Sequence, residues 1–122
     1  MNIEKMTKNG KTVAVITSEN LVITDVQSAL ELIMTVKYEA GTNLLAVDKK
    51  VIVEDFFILS RGLAGEVLQK FINYQAKIAV FGDFSKYTSK PLKDFIYESN
   101  KGKDIFFVPT KEEAAEYLTT VN

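Results

Sequence analysis

The 122-residue sequence predicts one small α/β sandwich domain: an N-terminal β-hairpin, then right-handed β-α units that build a mixed sheet of about five strands with helices mainly on one face. Three observations predict it. Asn9-Gly10 stands between two strand-like runs, the strongest short hairpin signal. Residues 56–84, FFILSRGLAGEVLQKFINYQAKIAVFGDF, read as a glycine-broken turn, one amphipathic helix and a strand buried on both faces. Helical and strand patterns then alternate to the C-terminus, with no linker and the order β-β-α-β-α-β-α-β-α.

The elements follow in order. Residues 2–7 and 12–17 form the hairpin arms. Thr24 or Asp25 caps a helix over about residues 25–39, with Val26, Ala29, Leu30, Ile33 and Val36 on one face and Gly41 as its stop. Residues 44–47 are a short strand, followed by polar Asp48, Lys49 and Lys50, then residues 51–53, with Glu54 and Asp55 opening one short helical turn through Leu59. The next helix places Ala64, Val67, Leu68, Phe71 and Ile72 inward. Residues 78–81 are a continuous apolar run, as expected of a central parallel strand. Ser89 caps a helix with Pro91 in its first turn, Leu92, Phe95 and Ile96 inward and Gly102 beyond its end. Residues 105–108 are the last strand, and Thr110-Lys111-Glu112-Glu113 is a capping box for a helix with Ala114, Tyr117, Leu118 and Val121 inward.

Composition narrows the chemistry. With 47% hydrophobic residues and 25% charged residues the chain has the size and content for one core. It has no cysteine, so disulfides, thiolate nucleophiles and thiolate-bound zinc are excluded, and a cytoplasmic location is the expectation. It has no histidine, so Ser-His triads, HExxH metal sites and imidazole acid-base mechanisms are excluded as well. A formal net charge of −1 predicts no nucleic-acid partner, because binders of the phosphate backbone carry a basic surplus. Lys86, Lys90, Lys93, Lys101 and Lys103 are interleaved with Asp94, Glu98 and Asp104 and read as a solvated face. No apolar run approaches the roughly 20 residues of a membrane span, so no membrane partner is expected.

Loops leaving the carboxyl ends of parallel strands converge on one edge, the usual place for a ligand or partner site in open α/β sheets. That edge collects residues 48–50, 60–63 and 82–87 with Pro109 and Thr110. The candidate binding residues are Ser60, Arg61, Gly62, Asp83, Ser85 and Tyr87. Arg61 suits bidentate contact with an anion. Ser60 is either a phosphoacceptor or a local cap for the following turn. Asp83 is a turn-capping carboxylate, a hard-cation ligand or a base. Gly62 and Gly65 fit no nucleotide-phosphate loop, so no cofactor and no metal is expected.

The runs FFILSRGLAGEVLQKFINYQ, GDFSKYTSKPLKDFIYESNKGKDIFFV and EEAAEYL resemble the bacterial family of short proteins called domain of unknown function 4180, over about residues 21–118. That family implies no activity. More distantly, the turn 60–63 entering a helix, with an aliphatic strand after it, is similar to the anti-sigma-factor antagonist and sulfate-transporter C-terminal (STAS) fold. That resemblance implies a regulatory module with Ser60 at the position of a phosphorylated serine, although Arg61 stands where those proteins often have a second serine and Leu59 where an Asp is typical. The resulting expectation is a non-enzymatic regulatory or protein-interaction module. The alternative is a small-molecule or anion binder, or an enzyme without His or Cys chemistry, at the same edge. The aromatics Phe84, Tyr87 and Tyr97 outside the apolar stripes point to an exposed patch and a homodimer.

Overall fold

The computed structural model describes residues 1–120. Strands β1 (Asn2–Lys8) and β2 (Lys11–Thr17) form the antiparallel hairpin, and β3 (Leu44–Asp48), β4 (Lys77–Phe81) and β5 (Ile105–Val108) add in parallel, giving one mixed sheet in the order β1-β2-β3-β4-β5. Asn9 and Gly10 both take positive φ, 51° and 74°, as a two-residue hairpin turn requires. Helices α1 (Val26–Ala40), α2 (Leu63–Asn73) and α3 (Lys90–Lys101) make the three crossovers, and α4 (Lys111–Thr120) follows β5. None of the helices described is long and apolar enough to cross a membrane.

Strand order in space follows chain order, so each crossover steps in the same direction, and crossovers of one hand put their helices on one face. Ala14, Ile16, Leu45, Val47, Ile78, Val80 and Phe107 point to that face and pack under α1, α2 and Leu92 of α3. The opposite face, Val13, Val15, Ala46, Ala79, Phe106 and Val108, is covered by Ala114, Ala115 and Leu118 of α4. Both faces are therefore dry over the inner strands. That is why β3 and β4 read as unbroken apolar runs rather than as alternating ones.

Local signals account for the helix ends. Asp25 accepts from the Ser28 N–H at 2.8 Å while the Ser28 hydroxyl oxygen accepts from the Asp25 N–H at 3.0 Å, a reciprocal box that starts α1, and Gly41 ends it with φ 65°. Ser89 caps α3, with Pro91 in the first turn. Thr110 Oγ1 accepts from the Glu113 N–H at 3.1 Å at the start of α4.

Four expectations need correction. In α1 the buried partner of Ile33 is Leu32 rather than Leu30, which is half-buried. Ile72 is 47% exposed and Tyr117 38% exposed, so the inward faces of α2 and α4 are narrower than their apolar patterns. Val121 lies outside the described residues. The segment after β3 is not one helical turn but three short 3-10 turns, Lys49–Val51, Glu54–Phe57 and Leu59–Arg61. It is tied down by a parallel bridge between Ile23 and Ile52, with the Val53 N–H donating to the Ile23 carbonyl at 2.9 Å.

Candidate functional site

Two strand exits meet at the carboxyl edge, and a glycine makes the meeting possible. After β3, Asp48 accepts from the Lys50 N–H at 3.0 Å and turns the chain so that Lys49 lies against the exit of β4. Gly82 sits there with φ 151°, and a Cβ on it would lie 2.8 Å from the Lys49 Cβ. Only glycine allows this approach. The Lys49 ammonium then stands 4.8 Å from the ring centre of Tyr87 and 5.6 Å from that of Phe57, and the two rings stack 5.1 Å apart. Phe84 packs edge-on against Phe107 at 5.8 Å and closes the apolar base below them.

Charge is arranged around that aromatic pair. The Tyr87 hydroxyl donates to the Glu54 carboxylate, with Oε1 at 2.9 Å and Oε2 at 3.1 Å, and Lys86 Nζ reaches Oε1 at 3.2 Å. Burial first, then the bond to Glu54 and its negative charge, push the Tyr87 phenol well above its ordinary value. Burial works to raise the Glu54 carboxyl, but the Tyr87 and Lys86 hydrogen bonds together with the Lys86 and Lys49 charges outweigh it, so the group is held below the ordinary carboxylate range. Asp83 is also lowered, first by its hydrogen bonds with Ser85.

The residues singled out in the sequence divide among several surroundings. Tyr87 belongs to the cluster just described. Asp83 Oδ1 accepts from the Ser85 N–H at 2.9 Å, so it closes its own turn and carries Ser85 with it. Asp83 lines an open groove of about 730 Å³ with Asp48, Lys50, Phe84 and Pro109. Ser60 lines a second groove of about 480 Å³ together with Tyr87 and Lys86. Arg61 is exposed and points to Asp55 at 3.9 Å, and Gly62, with φ 81°, precedes α2 without any side-chain cap. Ser60 therefore does not cap that helix. Phe84 and Tyr87 are half-buried against Phe57 rather than displayed, and only Tyr97 of the three aromatics is strongly exposed, at 63%.

A family model described as domain of unknown function (DUF4180) matches residues 8–118, from the hairpin turn to the last helix. The chain belongs to the DUF4180 family. No curated protein and no solved structure matches it.

In this DUF4180 domain the edge also carries three charged side chains outside the candidate set drawn from the sequence: Lys49, Glu54 and Lys86. Lys49 and Glu54 lie five residues apart and Lys86 lies 32 residues beyond Glu54, so no local spacing connects the three. The available signal was compositional, a polar Asp48-Lys49-Lys50 at one strand exit facing a Gly-Asp with Tyr87 at the next. Among the described residues no group of three carboxylates gathers to hold a metal ion. What the DUF4180 edge can do chemically is receive a carboxylate: it already holds Glu54 between a phenol and an ammonium.

Proposed function

We propose that this domain is a non-enzymatic regulatory or protein-interaction module that meets its partner through the carboxyl edge of the sheet. The observation that carries this reading is that the edge's central carboxylate is already engaged, Glu54 being held by the Tyr87 hydroxyl and the Lys86 ammonium. A general acid or base needs a pKa near the working pH. Here Glu54 is held more firmly ionised and Tyr87 more firmly neutral, both away from neutrality. The other edge carboxylates, Asp48 and Asp83, are spent on backbone N–H groups of their own turns, and the grooves between the loops are open rather than enclosed. Such an edge suits a macromolecular surface. A cytoplasmic location and a STAS-like regulatory role belong to the same reading.

A second reading, a small-anion binder, draws on Lys49. Its ammonium lies over two rings and has no carboxylate within ion-pair distance among the described residues. Arg61 and a phosphate on Ser60 would belong to that reading. The two are separated by affinity capture from the native host with the unaltered protein, with Lys86→Glu and with Lys37→Glu on the opposite edge, alongside a thermal-shift screen of phosphate, sulfate and dicarboxylates. A protein partner retained by Lys37→Glu and lost by Lys86→Glu supports the module. Saturable stabilisation by one of the anions, abolished by Lys49→Ala, with no edge-dependent partner, overturns it. A captured second copy of this chain would make the partner a homodimer mate.

A further inference from the structure

The groove between the 3-10 turns and the start of α3 has a chemistry that specifies its occupant. Its volume is about 480 Å³, and its walls are Phe57, Leu59, Pro91 and Leu92 with Ile58 and Lys86. Among the described residues no carboxylate lines it, and its one charge is cationic. Ile58 is 42% exposed, an aliphatic side chain without cover. The groove thus pairs an apolar wall with a positive end, and it is contiguous with the place where Glu54 is gripped by Tyr87 and Lys86.

We infer that this groove receives an acidic segment of a partner protein, a carboxylate flanked by a branched aliphatic side chain, and that Glu54 is the internal stand-in for that carboxylate. The inference rests on the module reading above and names the chemistry of its partner. Lys86 and Glu54 are both about 61% exposed, and an ion pair so exposed contributes little, so exchanging Glu54 for an incoming carboxylate costs little. Lys49, held over the Tyr87 and Phe57 rings, adds a second cation beside the exchange point. The aliphatic side chain then covers Ile58 and Leu59 and supplies the net gain. A segment with both features binds; a free anion has the charge without the apolar part, and a neutral peptide the reverse.

The test is a fluorescence-anisotropy titration of the intact protein with a labelled decapeptide of alternating glutamate and leucine, its glutamine counterpart, and inorganic phosphate as competitor. The glutamate peptide is expected to bind, with Lys86→Glu weakening it about tenfold, the range of one charged contact, and Ile58→Ser weakening it about tenfold through lost apolar burial. Glu54→Gln should tighten binding several-fold by removing the stand-in, whereas Asp55→Asn, which removes a neighbouring carboxylate outside the Tyr87 contact, should leave it unchanged. Circular dichroism of each variant confirms the fold. Equal binding of the glutamine peptide, full competition by phosphate, equal gains from Glu54→Gln and Asp55→Asn, or no binding at millimolar peptide overturns the inference. Edge-dependent capture of a partner that lacks any acidic-aliphatic segment would sink it while leaving the module reading in place.

Discussion

Asn100 makes both backbone hydrogen bonds of Phe107: its Nδ2 donates to the Phe107 carbonyl at 3.0 Å and its Oδ1 accepts from the Phe107 N–H at 2.7 Å. The side-chain amide stands where a further strand would pair. Hydrogen bonds from Ile78 N–H to Asp104 and from Gly82 N–H to Val108 show that even-numbered residues of β5 face β4, so Phe107 presents its polar groups to the open side. An open strand edge invites another chain, and α3 blocks this one with a carboxamide of matching geometry.

Asn100→Ala should therefore do two things. It removes two hydrogen bonds from a buried residue, at a cost of about 1 to 3 kcal/mol, read as a lower urea midpoint. It also uncovers the β5 edge, so sedimentation should show concentration-dependent association beyond any shown by the unaltered protein. Asn100→Asp keeps the acceptor but cannot donate to the Phe107 carbonyl, and should lose stability as well. Unchanged midpoints for both variants would mean the amide is incidental.

The Glu54–Tyr87 bond sets a pH window. Tyr87 has its pKa raised above the unfolded value of 10.0, so its contribution is complete below that pH and is lost as pH rises toward the folded value. Glu54 has its pKa lowered from 4.5, so its contribution is complete above that pH and is lost as pH falls through the folded value. The pair stabilises most between these limits. Phenolate absorbance should reveal one of the five tyrosines ionising well after the others, and Tyr87→Phe should abolish that last step and flatten the alkaline loss of stability. If all tyrosines of the unaltered protein ionise together, the hydroxyl is not held by Glu54 in solution.

Asn9 serves the hairpin twice. Its φ of 51° suits the turn, and its Nδ2 donates to the Thr119 Oγ1 at 2.9 Å, fastening the hairpin to α4. Thr119 is buried and its hydroxyl donates to the Ala115 carbonyl at 2.7 Å. Asn9→Gly keeps the turn and loses the bond, for about 0.5 to 1.5 kcal/mol. Asn9→Ala adds left-handed strain of roughly 1 to 2 kcal/mol. Equal midpoints for the two variants would show that the turn conformation carries no cost.

These cases mark what could be read in advance. The hairpin, the β-α order and the caps at Ser89 and Thr110 were legible because each depends on residues within a turn of one another. Leu30 and Leu32 flank the inward face of α1 on opposite sides, so periodicity alone does not choose between them; in the fold Leu32 is buried and Leu30 half-buried. At the edge, Tyr87 was visible as an aromatic in a polar loop, but its partner Glu54 lies 33 residues away. Ser60, Arg61 and Asp83 were grouped because they share an edge, yet the loops turn Arg61 toward Asp55 and Asp83 back onto Ser85. Topology places loops; side-chain pairing within them depends on contacts that the sequence does not space regularly.

Gly82 tests the close approach on which the edge is built. Alanine there must adopt φ 151°, a region that side-chain-bearing residues avoid, with its Cβ 2.8 Å from the Cβ of Lys49. The clash is with the root of the side chain, so Lys49 cannot swing aside without moving the turn that carries it. Strain of about 1 to 3 kcal/mol follows, seen as a lower urea midpoint with an unchanged slope. Displacing that turn also lifts the Lys49 ammonium from the Phe57 and Tyr87 rings, so the Tyr87 ring resonances should shift. Lys49→Ala leaves the Gly82 backbone relaxed and should reproduce the spectral change with much less loss of stability. In the double variant the alanine's cost should persist, because Lys49→Ala keeps the Cβ that lies 2.8 Å away and removes only contacts at 3.4 Å and beyond, while the φ strain also remains. A Gly82→Ala protein with native stability and an unmoved Tyr87 signal would show that the two strand exits do not depend on this contact.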